Sequence, residues 1–215
     1  MLSKTQRFTG LCIGIFLLVG SANAQIDTYM TSMKENFAKL ASGDSLPLIA
    51  AQFERIAQSE QTKWVPYYYA SYYDVVQTMS MKDSVLREHT LDHAQQLLDM
   101  AVKLSPDSSE ILVIQGFLFI ARLQIAPMIR GAEYIMKVHD AFDTAMKLNP
   151  NNPRSYYMKG VTVLNTPEYF GGGKEPAKPI LTKALQLYEN FVPAAPFYPN
   201  WGKEDCQKLV ALCQQ

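Results

Sequence analysis

The chain has 215 residues, of which 48% are hydrophobic and 19% are charged, so its length and apolar content suit one folded domain. Its 20 basic residues balance its 20 acidic residues, and the formal net charge at pH 7 is zero. This balance argues against electrostatic binding of nucleic acid or of an anionic lipid surface.

The N-terminus has the pattern of a secretory signal peptide. Two basic residues precede an almost wholly apolar run over residues 11–20, and the small residues at 22–24 suit a signal peptidase. The run is about half of the ~20 apolar residues that a membrane-spanning helix needs. We therefore expect residues 1–24 to be cleaved after Ala24, which leaves a domain of residues 25–215 in the periplasm or outside the cell. Because the removed segment holds two basic residues and no acidic one, the mature formal charge is −2.

Single helices are predicted at both ends of the mature chain. Thr28–Leu40 reads as a leading helix, and Trp201–Cys213 reads as a closing helix that turns Leu209 and Leu212 inward. Capping helices with one polar face keep a stack of repeats from associating through its ends.

Between these ends the sequence repeats itself with a period of 44 residues. Ala57, Ala101 and Ala145 follow this spacing. Three further pairs share it: Leu104 and Leu148, Pro106 and Pro150, and Gly116 and Gly160. A fixed period of this kind is typical of stacked repeats, each of which buries its apolar face against its neighbours.

Each repeat ends in a helix that carries alanines at helical spacing, and prolines then stop it. A small residue follows about ten positions after each proline, at Gly116 and Gly160, and Ser71 takes the same place in the first full copy. A shorter final copy contains Ala177 and Ala184.

This pattern resembles the tetratricopeptide repeat. The matching positions, in order, are Gly116, Phe119, Val138, Phe142, Ala145 and Pro150. The resemblance implies an all-α, right-handed α-solenoid of helix pairs. The family unit has about 34 residues, so these units carry about ten extra. The extra residues fall in 80–90 and 127–137, where they either lengthen the second helix or form an added turn. We expect lengthening, because 83–103 contains no Gly or Pro.

The resemblance also implies a concave face lined by the first helices of successive units. The candidate ligand-binding residues on it are Tyr68, Tyr72, Phe117, Arg154, Tyr157 and Asn165. An aromatic groove with a few polar groups would suit an extended peptide or an amphipathic ligand. The alternative is that the longer helices close the groove, so that the rings become core.

The glycine-rich loop Thr166–Pro176 is a second candidate site. Gly171, Gly172 and Gly173 could leave backbone N–H groups pointing outward before a helix, where Lys174 would help to hold an anion. The alternative is a tight reversal that tucks two neighbouring aromatic residues beneath the helices. This loop and the helix after it also resemble the helical-repeat T component of tripartite ATP-independent periplasmic transporters.

Catalytic and metal-binding motifs are weak in this chain. It has no metalloprotease motif, no nucleophile elbow and no complete Walker loop. His89 and His93 share a helical face, but no third ligand accompanies them at a matching spacing. Cys206 and Cys213 are too far apart along one helix to form a disulfide and read as buried hydrophobes.

The sequence therefore predicts an exported, non-catalytic module without a cofactor or metal, which binds a protein or peptide partner in an aromatic groove. The alternative is an anion-binding subunit of a periplasmic transport system, with its site at the glycine-rich loop.

Overall fold

The computed structural model describes residues 27–105 and 108–214. The expected signal peptide and its cleavage site lie outside them. The chain divides into two compact units, Met1–Asp44 and Ser45–Gln215. In the first unit, residues 27–41 form helix α1, which agrees with the predicted leading helix.

The second unit is built from helices, and its described residues contain no β-strand. These elements are α2 (Leu46–Ser59), α3 (Trp64–Thr78), α4 (Ser84–Leu104), α5 (Ser108–Ile125), α6 (Pro127–Leu148), α7 (Pro153–Asn165), the short 3₁₀ helix η1 (Glu168–Phe170), α8 (Lys174–Glu189) and α9 (Lys203–Leu212). Over the described part of the chain, none of the helices combines the length and apolar character needed to cross a bilayer.

Local sequence signals set several helix starts. The Asp83 carboxylate accepts hydrogen bonds from the first backbone N–H groups of α4, and the Asn152 side chain does the same for α7. Pro127 and Pro153 stand in the first turns of α6 and α7, where a missing N–H costs nothing.

The helices pack as successive pairs, α3 with α4, α5 with α6 and α7 with α8, while α5 also contacts α3 on one side and α7 on the other. The small residues lie where the two helices of a pair approach closely. A Cβ atom on Gly116 would overlap the Phe142 ring, and one on Gly160 would overlap Leu181. In the first pair the Ser71 hydroxyl donates to a backbone carbonyl of α4 at 2.8 Å. The repeat is therefore a repeat of helix-helix contacts.

The extra residues of the long units lengthen the second helices, as expected. α4 has 21 residues and α6 has 22. All of 127–137 is helical, whereas the helix in 80–90 begins at Ser84 after a short turn.

The closing helix is shorter than predicted and turns a different face inward. α9 begins at Lys203, and its buried residues are Cys206 and Val210, which pack with α8 together with Cys213, the residue after the helix. Leu209 is half-buried, but Leu212 is 40% exposed, so its predicted inward orientation is wrong. The helix starts two residues late, which leaves Trp201 outside it.

The two described cysteines are buried thiols with no disulfide. The Cys206 thiol lies 3.5 Å from the carbonyl oxygen of Leu181, and burial raises its pKa to about 11. Both behave as the small hydrophobes that the sequence predicted.

Candidate functional site

The predicted aromatic groove is filled by the chain itself. Residues 191–202, here called the C-terminal strap, form no helix and run back across the first helices of the units. Trp201 lies at the centre, where its indole N–H donates to the Tyr68 hydroxyl at 2.9 Å. Its ring stacks on Tyr72 at 4.9 Å between centroids and packs edge-on against Tyr157 at 6.3 Å.

Other strap residues extend this contact. Tyr198 packs edge-on against Trp64 at 5.1 Å, and the Tyr69 hydroxyl donates to the Tyr198 carbonyl at 3.5 Å. The Phe191 ring lies 4.4 Å from the Arg154 guanidinium carbon. The strap therefore touches the first helix pair as well as the third.

Arg154 is an interior residue and not a surface ligand-binding residue. Its side chain is fully buried and forms an ion pair with Glu110 through three hydrogen bonds of 2.5 to 3.1 Å. Burial opposes its charge, but the bonds to Glu110 outweigh this, and the pKa of Arg154 is raised. The two residues are 44 apart, so equivalent positions of successive units have become partners.

The remaining groove residues fall into two groups. Tyr68 is fully buried, and burial raises its pKa far above the usual value. Tyr72, Phe117 and Tyr157 are half-buried, and Phe117 packs against Tyr72 at 6.2 Å. Asn165 is exposed and does not join this cluster.

The prediction of an open aromatic groove is therefore wrong. Its alternative, in which the rings become core, holds for Tyr68 and in part for the three half-buried rings. The cause differs from the one expected, because the strap fills the groove and helix lengthening does not close it. The signal that could have revealed the strap is its aromatic residues Phe191, Phe197, Tyr198 and Trp201, set among prolines where no helix can form.

The glycine-rich loop does not present an anion-binding nest. The backbone N–H groups of Gly171, Gly172 and Gly173 donate to carbonyls of the chain at 2.9, 3.2 and 3.0 Å. Glu168 lies beside Gly173, so a carboxylate already stands at the N-terminus of α8. The prediction that these N–H groups point outward is wrong, because the turn itself uses them.

The alternative interpretation of the loop also fails. Tyr169 is 90% exposed and Phe170 is 74% exposed, so neither ring is tucked beneath the helices. The two rings contact each other edge-on at 5.1 Å between centroids. Left-handed backbone at Gly171, with φ of 80°, reverses the chain directly after them.

An open cavity of about 890 Å³ lies next to this turn. Its lining runs from Leu164 to Glu168 and from Gly172 to Pro176. Asn165 and Lys174, predicted for two different sites, therefore line one cavity. Exposed large apolar side chains also occur at the starts of the second helices; they are Val85, Leu86, Met128 and Ile129. Met136, near the middle of α6, is exposed as well.

His93 joins three helices through its ring nitrogens. His93 Nδ1 lies 2.7 Å from the Asp74 carboxylate, and its Nε2 lies 3.5 Å from Glu54. These contacts join α4 to α3 and α2, while His89, one turn earlier on α4, is exposed. Across the described ranges, no group of three or more His, Cys, Asp or Glu side chains is arranged to hold a metal ion.

The fold and the sequence both resemble a solved protein. That neighbour is a haemophore. The chain aligns with the HusA haemophore from Porphyromonas gingivalis with a TM-score of 0.78 and 29% sequence identity. The alignment covers 86% of this chain and 92% of HusA, so the all-helical architecture is shared over nearly the whole of both. No protein-family model and no curated protein matches the chain.

Proposed function

We propose that this protein is an exported binding protein for haem or a closely related tetrapyrrole. The observation that carries the proposal is the likeness to HusA at 29% identity over 86% of the chain, because HusA is a haemophore. Binding rather than catalysis is the function in keeping with such a neighbour.

The surface chemistry suits such a ligand. Soluble proteins seldom expose clusters of large apolar side chains unless the cluster binds something. Here Met128 is 98% exposed and Ile129 is 86% exposed, and two exposed aromatic rings lie in the turn before α8. A tetrapyrrole offers a flat apolar ring to such side chains and carboxylates at its rim to water or a lysine.

Export is part of the proposal and rests on the sequence of residues 1–24. A tetratricopeptide-type solenoid is likewise our interpretation of the architecture, supported by the 44-residue period and by the small residues at the crossing points Gly116 and Gly160.

The test is a titration of residues 25–215 with haemin, followed by visible absorption. We expect a saturable change in the main absorption band with one ligand per chain. The same titration of the chain unfolded in urea is the control, because it keeps the composition and removes the surface. Equal spectra for the folded and unfolded chains would exclude haem binding by the fold.

Binding of a protein or peptide is a second candidate. It is favoured by the irregular strap, which contains Phe197 in left-handed backbone with φ of 64° and could leave the groove more easily than a helix could. A partner that enters the groove should be captured by the mature chain and lost on Phe117→Ala with Tyr157→Ala. Retention of the partner by that variant would exclude the groove as its site.

A further inference from the structure

Where two neighbouring units meet, the second helix of one unit packs beside the first helix of the next. How far one of these helices extends past the other, along the helix axes, differs between the α4/α5 contact and the α6/α7 contact. Ion pairs between neighbouring units fix the register. Arg122 of α5 pairs with Glu88 of α4 at 2.9 Å, and Lys159 of α7 pairs with Asp143 of α6 at 2.8 Å.

At the first junction, between α4 and α5, the two helices end at about the same height along their axes. From Glu88 back to Ser84, the start of α4, the helix extends about 6 Å at 1.5 Å per residue. From Arg122 forward to Ile125, the end of α5, it extends about 4.5 Å. Measured along the helix axes, the two helix ends therefore differ by less than about 2 Å.

At the second junction, between α6 and α7, one helix extends well past the other. From Asp143 back to Pro127, the start of α6, the helix extends about 24 Å, whereas from Lys159 forward to Asn165, the end of α7, it extends only about 9 Å. α6 therefore projects about 15 Å past the end of α7. We call this offset the step. Its wall is the N-terminal half of α6, and we take its floor to be the end of α7, the η1 turn and the start of α8, because the chain leaves α7 at this end.

The wall of the step is apolar. Residues 7, 11, 14 and 15 positions before Asp143 lie on the helix face that Asp143 turns towards α7. They are Met136, Ala132, Ile129 and Met128, and all four are exposed. α7 has 13 residues and α5 has 18, so an α7 as long as α5 would reach about 7.5 Å further and would cover only the half of this face nearer to Asp143. Met128 and Ile129 lie beyond that reach.

The floor of the step adds aromatic rings and a cation. The exposed edge-on pair Tyr169 and Phe170 lies in the η1 turn. Lys174, the first residue of α8, is exposed and lines the 890 Å³ cavity between the end of α7 and the start of α8. An apolar wall, aromatic rings and a lysine suit a flat apolar ring with carboxylates at its rim.

We propose that this step is the tetrapyrrole-binding site, with one face of the macrocycle on Met128, Ile129 and Met136 and its edge against Tyr169 and Phe170. This inference rests on the proposed function and adds where on the protein the ligand binds. The filled groove beneath the strap is not used. The step is open without any rearrangement, whereas the groove would first have to expel Trp201 and its hydrogen bond to Tyr68.

The test compares haemin dissociation constants of three double variants of residues 25–215 with the unsubstituted chain. Met128→Ser with Ile129→Ser removes two apolar side chains from the wall of the step, and Tyr169→Ser with Phe170→Ser removes the aromatic rings from its floor. The matched control is Val85→Ser with Leu86→Ser, an apolar pair that is 64% and 52% exposed at the first junction. All six side chains are exposed, so circular dichroism should show an unchanged fold.

We expect each step variant to bind haemin about tenfold more weakly or worse, and the control within about twofold of the unsubstituted chain. If the unsubstituted chain binds haemin and both step variants bind it equally well, the step is not the site and the proposed function stands. If the unsubstituted chain does not bind haemin, the proposed function and the site both fall.

A second copy of this chain is the competing occupant of the step. Sedimentation velocity on the same proteins tests it. A dimer that the wall variant converts to a monomer, with haemin affinity unchanged, would make the step a self-association surface and overturn the proposal.

Discussion

The buried ion pair between Arg154 and Glu110 gives the strongest prediction for stability. Arg154→Met removes the three hydrogen bonds to Glu110 and leaves its carboxylate without this cation in the interior. Breaking one side of such a pair costs about 3–5 kcal/mol, which lowers the Tm of a chain of this size by about 6–20 °C. Arg55→Met is the matched control, because Arg55 is exposed on α2 and its loss should change the free energy of unfolding by less than about 0.5 kcal/mol.

The pH dependence separates this mechanism from simple loss of packing. In the Arg154→Met variant, burial without the cation favours protonated Glu110. A group that binds its proton more tightly when folded loses stability as the pH rises, so the deficit of the variant should be largest at about pH 7 and shrink towards about pH 5. Urea unfolding at both pH values, monitored by circular dichroism, measures it.

The double variant Arg154→Met with Glu110→Met should be no less stable than Arg154→Met alone, because the second substitution removes the carboxylate that lost Arg154. An Arg154→Met variant as stable as Arg55→Met, or a deficit that does not change with pH, would refute the buried pair.

Two further predictions concern the helix crossings and the histidine contact. Gly116→Ala should lower the free energy of unfolding by about 1–3 kcal/mol, since its methyl group overlaps an aromatic ring, whereas Gly131→Ala, with open space around it in α6, should raise it by about 0.5–1 kcal/mol; thermal melts that give both changes the same sign would contradict the packing argument. Burial alone would lower the pKa of His93, but its hydrogen bond to Asp74 outweighs burial and the pKa is raised. The contribution of the His93–Asp74 contact to stability is therefore full below about pH 6.5, and it is lost as the pH rises through the raised pKa of His93. The stability difference between the unsubstituted chain and His93→Gln should shrink from about pH 6 to about pH 8, and His89→Gln, at an exposed position on the same helix, is the control.

Features that depend on residues close together in the sequence could be predicted. The period of 44 located the crossings at Gly116 and Gly160, because a small residue at a fixed place is needed wherever two helices approach closely. The absence of Gly and Pro in 83–103 predicted a long α4 in the same way. The predicted sites failed because they depended on contacts between distant segments. Tyr68 and Trp201 are 133 residues apart, and no local pattern pairs them.

The sequence by itself determined that the described chain is a series of helices with a fixed repeat, since helical period, proline stops and small residues act over a few turns. Only the tertiary structure decided which surfaces stay open. The strap occupies the aromatic groove. The backbone N–H groups of the glycine-rich loop form hydrogen bonds with the chain's own carbonyls, and the N-terminal half of α6 extends past the end of α7. These outcomes depend on how far helices reach past their neighbours and where the C-terminal segment folds back. Both are set by packing across the whole unit.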